Sequence, residues 1–258
     1  MIKKLAGFLK LDRKSGTAKR ARLTLDMTGL AVYAVGDVHG CLDELLRLER
    51  KIIADAADVE ARKLIVMLGD YVDRGPASSQ VIDHLLAPPP PGFERICLTG
   101  NHELIMLEAL DGAISLREWS DMGGAAALHS YGIDYQHLSG VCPPDEQLEV
   151  IRNAIPPLHI AFLRSLPILV DSRDYLFVHA GIRPEIDLEK QSDRDMVFIR
   201  SDFFNAAHLL KKWVVHGHTP VQRARLDGRR LNLDTGAYQT GRLSAARIWE
   251  NKGRILST

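Results

Sequence analysis

Apolar positions along this chain alternate between two spacings. The runs Ala31-Val32-Tyr33-Ala34-Val35, Leu64-Ile65-Val66-Met67-Leu68 and Ile96-Cys97-Leu98 are continuous and of strand length, and each stops at or just before a glycine. Behind each run the apolar residues recur at helical spacing, as in Leu42, Leu45, Leu46, Ile52 and Ile53. The pattern predicts strand, turn and helix in succession, with helices from Cys41 to Ala56, from about Ser78 to Leu86, and from the Asn101 turn through Leu110. Pro88 to Pro91 must end the second helix, because proline lacks the amide that a helix interior needs.

From about Asp111 to Leu166 this rhythm breaks. The stretch holds Trp119, Gly123-Gly124, Tyr131-Gly132 and Cys142-Pro143-Pro144, then a helix predicted from Asp145 to Ile155 and another from Pro156-Pro157 through Leu166. An insertion of this kind forms a lid or side wall of a site, or only completes an outer layer. Strands resume at Tyr175-Leu176-Phe177-Val178 and Lys212-Trp213-Val214-Val215, and Leu231 to Asp234 and Ser244 to Trp249 read as closing strands. The expected class is α/β, with one domain over residues 29–258 and a helical insertion at about 111–166.

Residues 1–28 read as a mobile basic leader. Lys3, Lys4, Lys10, Arg13, Lys14, Lys19, Arg20 and Arg22 face only Asp12 and Asp26 there. Ile2, Leu5, Phe8, Leu9 and Leu11 lie near helical spacing, so a weak basic amphipathic helix is the alternative. Over the whole chain the charges cancel, lysine plus arginine equalling aspartate plus glutamate at 33 each. No global field draws the chain to nucleic acid or to an acidic membrane surface, and a charged substrate has to be attracted locally. No apolar run reaches the roughly 18 residues of a membrane span, so no integral membrane association is expected. Cys41, Cys97 and Cys142 are an odd set without paired spacing, which predicts reduced thiols in a cytoplasmic protein.

Five strand ends share one property. Gly36-Asp37-Val38-His39-Gly40, Gly69-Asp70, Gly100-Asn101-His102-Glu103, His179-Ala180-Gly181 and Gly217-His218-Thr219 each put a carboxylate, amide or imidazole at the open end of a sheet. One acidic turn alone would be ordinary turn chemistry. Together Asp37, His39, Asp70, Asn101, His179 and His218 offer oxygen and nitrogen ligands and no thiolate, a set that suits Mn²⁺, Fe or Zn²⁺ and argues against a closed structural zinc site. The ligands are too many for one ion. Two ions about 3.5–4 Å apart sharing a carboxylate is the economical arrangement, with Asp70 as the bridge.

These motifs, with Asp70-Tyr71-Val72-Asp73-Arg74-Gly75, resemble the ordered motifs of the phosphoprotein phosphatase family of calcineurin-like metallophosphoesterases. The likeness is nearest to bacterial and bacteriophage serine/threonine phosphatases and runs from Val32 to Ile248. It implies two mixed β-sheets packed as a sandwich and flanked by helices. It further implies that Asp37 and His39 hold a first divalent metal, that Asp70 bridges, and that Asn101, His179 and His218 hold the second. Mn²⁺ is the expected metal, with Fe or Zn²⁺ as alternatives. His218 is preferred to His216 because it directly follows the glycine, which leaves His216 a supporting or structural role.

The implied activity is phosphomonoester hydrolysis by a serine/threonine or dual-specificity phosphoprotein phosphatase, in which a hydroxide made available by two metals attacks phosphorus in line. Arg74, and more loosely Arg200 in Val197-Phe198-Ile199-Arg200-Ser201-Asp202, would grip phosphate oxygens. His102, oriented and kept charged by Asp73, would protonate the leaving group. Three alternatives stand beside this: a dinucleoside polyphosphate (diadenosine tetraphosphate) hydrolase, a broad small-molecule phosphatase, and a metal-binding scaffold without turnover. Dinucleotide hydrolases typically lack the aspartate before arginine in the second motif. Asp73-Arg74-Gly75, and Glu103 after Asn101-His102, therefore weigh toward a phosphoprotein or phosphopeptide substrate.

Overall fold

The apolar runs pair as strands in the computed structural model, which describes residues 9–11 and 19–258. In chain order the elements are β1 (Leu9–Leu11), β2 (Arg22–Leu25), β3 (Leu30–Val35), α1 (Leu42–Ala56), β4 (Arg62–Met67), α2 (Ser78–Leu86) and β5 (Phe93–Cys97). A helical stretch follows: α3 (Asn101–Leu110), α4 (Leu116–Trp119), a π-helical turn (Ser120–Gly124), α5 (Ala125–Ser130), α6 (Tyr135–Val141), α7 (Pro144–Ala154) and α8 (Pro157–Ser165). Then come β6 (Leu169–Asp171), β7 (Tyr175–Val178), α9 (Asp193–Phe198), α10 (Ser201–Asn205), β8 (Trp213–His216), β9 (Arg225–Asp227), β10 (Arg230–Asn232), α11 (Ala237–Thr240), β11 (Ser244–Trp249) and β12 (Lys252–Ser257).

Among the described residues the strands form two mixed sheets. One has five strands in the order β12-β11-β3-β4-β5, and the other seven in the order β1-β2-β6-β7-β8-β10-β9. β3, β4 and β5 run parallel, and so do β7 and β8. Every residue of β3 is buried, which explains why its sequence is unbroken apolar rather than alternating. Val32 and Ala34 face Leu23, Val170, Phe177 and Val215 in a core between the sheets. Their neighbours Ala31, Tyr33 and Val35 face the other way, onto Leu45, Leu48 and Ile52 of α1. On the far side of the seven-stranded sheet, Leu176, Val178 and Val214 pack against Met196, Val197 and Phe203. The period of two in a strand thus feeds two cores at once, and gives the sandwich with helices outside.

One expectation needs correcting. Residues 22–25, read above as part of a mobile leader, are a strand: β2 lies parallel to β6, and Leu23 and Leu25 enter the core between the sheets. Two of the basic residues that suggested a mobile leader, Arg20 and Arg22, have structural partners. Arg20 Nη1 donates to the carbonyls of Leu163 (3.0 Å) and Leu166 (2.9 Å), and Arg22 Nη2 to Gln191 O (2.8 Å) and Asp193 Oδ1 (3.1 Å). Leu9–Leu11 pair with β2 as strand rather than helix, and the rest of the proposed amphipathic helix lies outside the described residues.

Candidate active site

Because β3, β4 and β5 are parallel neighbours in one sheet and β7 and β8 in the other, the turns after them meet at one end of the sandwich. Those turns carry Asp37 and His39, Asp70, Asn101, His179 and His218, all buried. Their backbone is forced. His39 (φ 45°), Asp70 (53°), Asp73 (70°), Arg74 (67°) and His218 (67°) all occupy the left-handed region, which non-glycine residues adopt only where their surroundings compel it. Gly217 is required by close approach, since a Cβ there would lie 1.9 Å from Asp37 Oδ1.

Asp70 stands at the centre. Its Oδ2 is 3.4 Å from Nε2 of His39 and 3.4 Å from Nε2 of His179. His39 Nδ1 donates to the Val72 carbonyl at 2.9 Å, which turns the Nε2 lone pair toward Asp70, and burial pulls its pKa down to about 3, so the ring is neutral. His179 donates from both nitrogens, Nδ1 to Leu68 O and Nε2 to Asn101 Oδ1, each at 3.0 Å. Burial opposes a charge on that ring, but Asp70 outweighs it and its pKa is raised. Ligand atoms of His39, Asp70 and His102, and likewise of Asp70, His179 and His218, lie within 4.8 Å of one another.

Asp37 sits beside these groups. Its Oδ2 accepts the His218 amide at 3.0 Å, while Oδ1 is buried without a hydrogen-bond partner. Burial, with Asp234 and Asp70 nearby, holds its carboxyl well above the ordinary range. Asp234, which the sequence reading placed in a closing strand and gave no role, is buried with its pKa raised to about 6, chiefly by burial. An orphaned carboxylate oxygen on Asp37, the neutral His39 imidazole aimed at Asp70, and a His179 Nε2–H between Asp70 and Asn101 all fit divalent cations, which satisfy buried acids and replace such a proton.

The side of the site facing Arg74 is built on Asp73. Its Oδ2 accepts His102 Nδ1–H at 2.7 Å. Arg74 Nη2 donates to His102 Nε2 at 3.2 Å and Nη1 to the Tyr238 hydroxyl, so in this pose the imidazole is neutral. Burial works to lower the His102 pKa, but Asp70 and Asp73 more than offset it and the net shift is upward. Withdrawal of Arg74 therefore frees Nε2 to take a proton. On the other side Arg200 Nε donates to His218 Nε2 at 3.1 Å. Each donor group thus has its own arginine resting on an imidazole. His216 lies apart: it is buried against the Phe203 ring (5.2 Å), and burial pulls its pKa to about 3.

Glu103 braces the whole turn. It accepts the amides of Asp70 and Gly100 at Oε2 (2.8 Å each) and of Tyr71 at Oε1 (2.7 Å). A cleft of about 520 Å³ opens over the site, with Arg74 and Arg200 beside Met122, Phe198 and Tyr238. Sequence reasoning gave no role to these last three or to Asp234, although Leu231-Asn232-Leu233-Asp234-Thr235-Gly236 repeats the pattern of an apolar run ending in an acid and a glycine.

Residues 30–253 match the calcineurin-like phosphoesterase family. The chain belongs to that family. The PrpE bis(5'-nucleosyl)-tetraphosphatase (asymmetrical) of Bacillus velezensis is 27% identical over 245 residues, covering 86% of this chain and 91% of that protein. A solved structure of a candidate diadenosine tetraphosphatase superposes with a TM-score of 0.64 at 21% identity, over 92% of this chain and 98% of the other. A serine/threonine phosphatase from Saccharomyces cerevisiae superposes with a TM-score of 0.55 at 15% identity, over 89% and 79%. This calcineurin-like phosphoesterase thus has the predicted fold, and the relative similar in sequence is named for a nucleotide substrate rather than a phosphoprotein. Asp73 and Arg74 bond His102, Trp119 and Tyr238 within the site, and Arg74 also lines the cleft, so the pair by itself does not separate a protein substrate from a nucleotide. Among the described residues no helix is long and apolar enough to cross a membrane.

Proposed function

We propose that the chain hydrolyses dinucleoside polyphosphates of the bis(5'-nucleosyl) tetraphosphate class. The cleft carries this reading, because it joins an arginine at each donor group to an apolar wall of Met122, Phe198 and Tyr238. A single phosphate ester needs one seat for its anion. A polyphosphate between two nucleosides needs positive charge along a trough and flat apolar surface for a base, and this cleft has both. The name of the Bacillus velezensis relative supports the same substrate class.

In this reading Asp37 and His39 would hold one divalent cation, Asn101, His179 and His218 the other, and Asp70 would serve both, with a donor set that suits Mn²⁺, Fe or Zn²⁺ and Mn²⁺ the expected metal. When bound, the two cations supply Lewis acidity and an acidified water. The chain's own residues do the rest. Arg74 and Arg200 leave their imidazoles for the phosphate oxygens, His102 delivers a proton from Nε2 to the departing oxygen, and Asp73 holds the imidazolium in place. The three free cysteines support a cytoplasmic setting.

A phosphoprotein phosphatase is the second reading. The His102–Asp73 pair at 2.7 Å favours it, because a serine alkoxide needs a proton more than a polyphosphate does. Rates on diadenosine tetraphosphate and on phosphoserine, phosphothreonine and phosphotyrosine peptides at one Mn²⁺ concentration decide between them. The proposal expects clear preference for the dinucleotide, and preference for any peptide overturns it.

A further inference from the structure

The stretch between β5 and β6 reaches the acid through a single indole. Trp119, at the end of α4, is fully buried, and its Nε1–H donates to both oxygens of Asp73, at 3.1 and 3.2 Å. The same carboxylate receives His102 Nδ1–H. With donors from two directions, the Asp73 carboxylate is held in one orientation, and so is the imidazole that hangs from it.

The turn after Trp119 is folded against the same residues. Gly123 (φ 115°) accepts the Arg74 amide at its carbonyl, 3.1 Å away, and a Cβ on Gly123 would lie 2.9 Å from Arg74 Cγ. A Cβ on Gly124 would lie 2.5 Å from Trp119 Nε1. Asp73 and Arg74 both hold left-handed backbone, a conformation that surrounding structure has to impose. The Trp119 to Gly124 segment touches both, Asp73 through the indole and Arg74 through the Gly123 carbonyl.

We propose that Trp119 is a positioning residue for the acid: its indole N–H fixes the Asp73 carboxylate so that His102 points at the leaving group, while the Gly123-Gly124 turn seats Arg74 from the same segment. The insertion is then neither a lid nor outer padding. This rests on the reading that the site hydrolyses phosphoric anhydrides and esters with His102 as the acid. A core tryptophan with no such task would contribute stability through burial alone, and its loss would slow every substrate alike.

The test uses the Mn²⁺-loaded full chain and two probes, p-nitrophenyl phosphate with its good leaving group and phenyl phosphate with a poorer one. Trp119→Phe keeps the ring and removes the donor. It should lower kcat on phenyl phosphate by at least about tenfold and on p-nitrophenyl phosphate by less than about twofold, with KM and metal content unchanged. In an Asp73→Asn background it should add almost nothing, because both changes act through one carboxylate. Equal slowing of both probes, or additive losses, overturns the proposal.

A second measurement needs neither activity nor a stable Trp119 variant. In the wild-type protein the Trp119 indole N–H should resist deuterium exchange, and its NMR resonance should shift on Asp73→Ala. The His102 ring ¹⁵N signals should show a fixed Nδ1–H tautomer that Trp119→Phe, or Gly124→Ala where that folds better, loosens. An indole signal indifferent to Asp73 overturns the proposal. A wild-type protein that cleaves neither these esters nor diadenosine tetraphosphate overturns the functional reading instead, and the ring signals still score the positioning.

Discussion

One oxygen of Asp70 lies 3.4 Å from Nε2 of His39 and equally far from Nε2 of His179, so a single carboxylate joins the two halves of the site. The two histidines come from different sheets, His39 from the turn after β3 and His179 from the end of β7.

Asp70→Asn should therefore lower the affinity of both metals together rather than of one. Metal analysis after gel filtration should find less than one ion per chain, whereas His218→Ala should retain one. Full occupancy in the Asp70 variant would remove Asp70 as the bridge.

The His102 pair sets a pH dependence in the metal-free protein. Its folded pKa is raised above 6.5. The stability it contributes is then fully present below the unfolded value and is lost as pH rises through the folded value. NMR titration of the chelator-treated protein should place His102 above 6.5, and Asp73→Asn should bring it down; an unchanged midpoint would detach the shift from Asp73.

Each Glu103 oxygen accepts two backbone amides, so Glu103→Gln leaves two of them facing an NH₂ group instead of an acceptor. The expected loss is about 1–3 kcal/mol in urea unfolding, with activity falling further because Asp70 and Tyr71 hang from the same carboxylate. A midpoint within error of wild type would mean that Glu103 does not hold the turn.

The thiols give a simpler check. Burial pushes Cys41 and Cys97 up to about 12, and Cys142 is raised less, by burial and then Glu146. With Ellman's reagent at pH 8 the folded chain should titrate Cys142 alone and slowly, and all three thiols of the sequence should react after unfolding. Rapid reaction of Cys41 in the folded protein would contradict its buried place at the start of α1.

The strands that build the site were legible because their apolar runs are long and end at glycine; β7 and β11 begin and end where the sequence puts them. β2, β6 and β9 were not, since they are only three or four residues long and include polar residues such as Arg22. The edge strand β12 was not, since it is largely exposed and carries no apolar run. The six predicted ligands converge because local sequence places each at a strand end and parallel pairing does the rest. Trp119 and Tyr238 reach the site only through tertiary packing, and local periodicity does not record which loop folds over which turn. The substrate class was harder still, because a buried Asp73 and an Arg74 at the cleft do not by themselves tell one phosphate substrate from another.

The two resting arginines make anion and cation binding interdependent. Arg200 occupies the His218 nitrogen that a metal would take, and Arg74 covers the His102 nitrogen that a proton would take. A phosphate that draws both away uncovers a ligand and an acid in one movement. By linkage, inorganic phosphate should tighten metal binding by the same factor as metal tightens phosphate, which paired calorimetric titrations would measure and Arg200→Ala would weaken. On the proposed reading the groups that bind substrate also guard the metal and acid positions, and the substrate would act as the key that arms them.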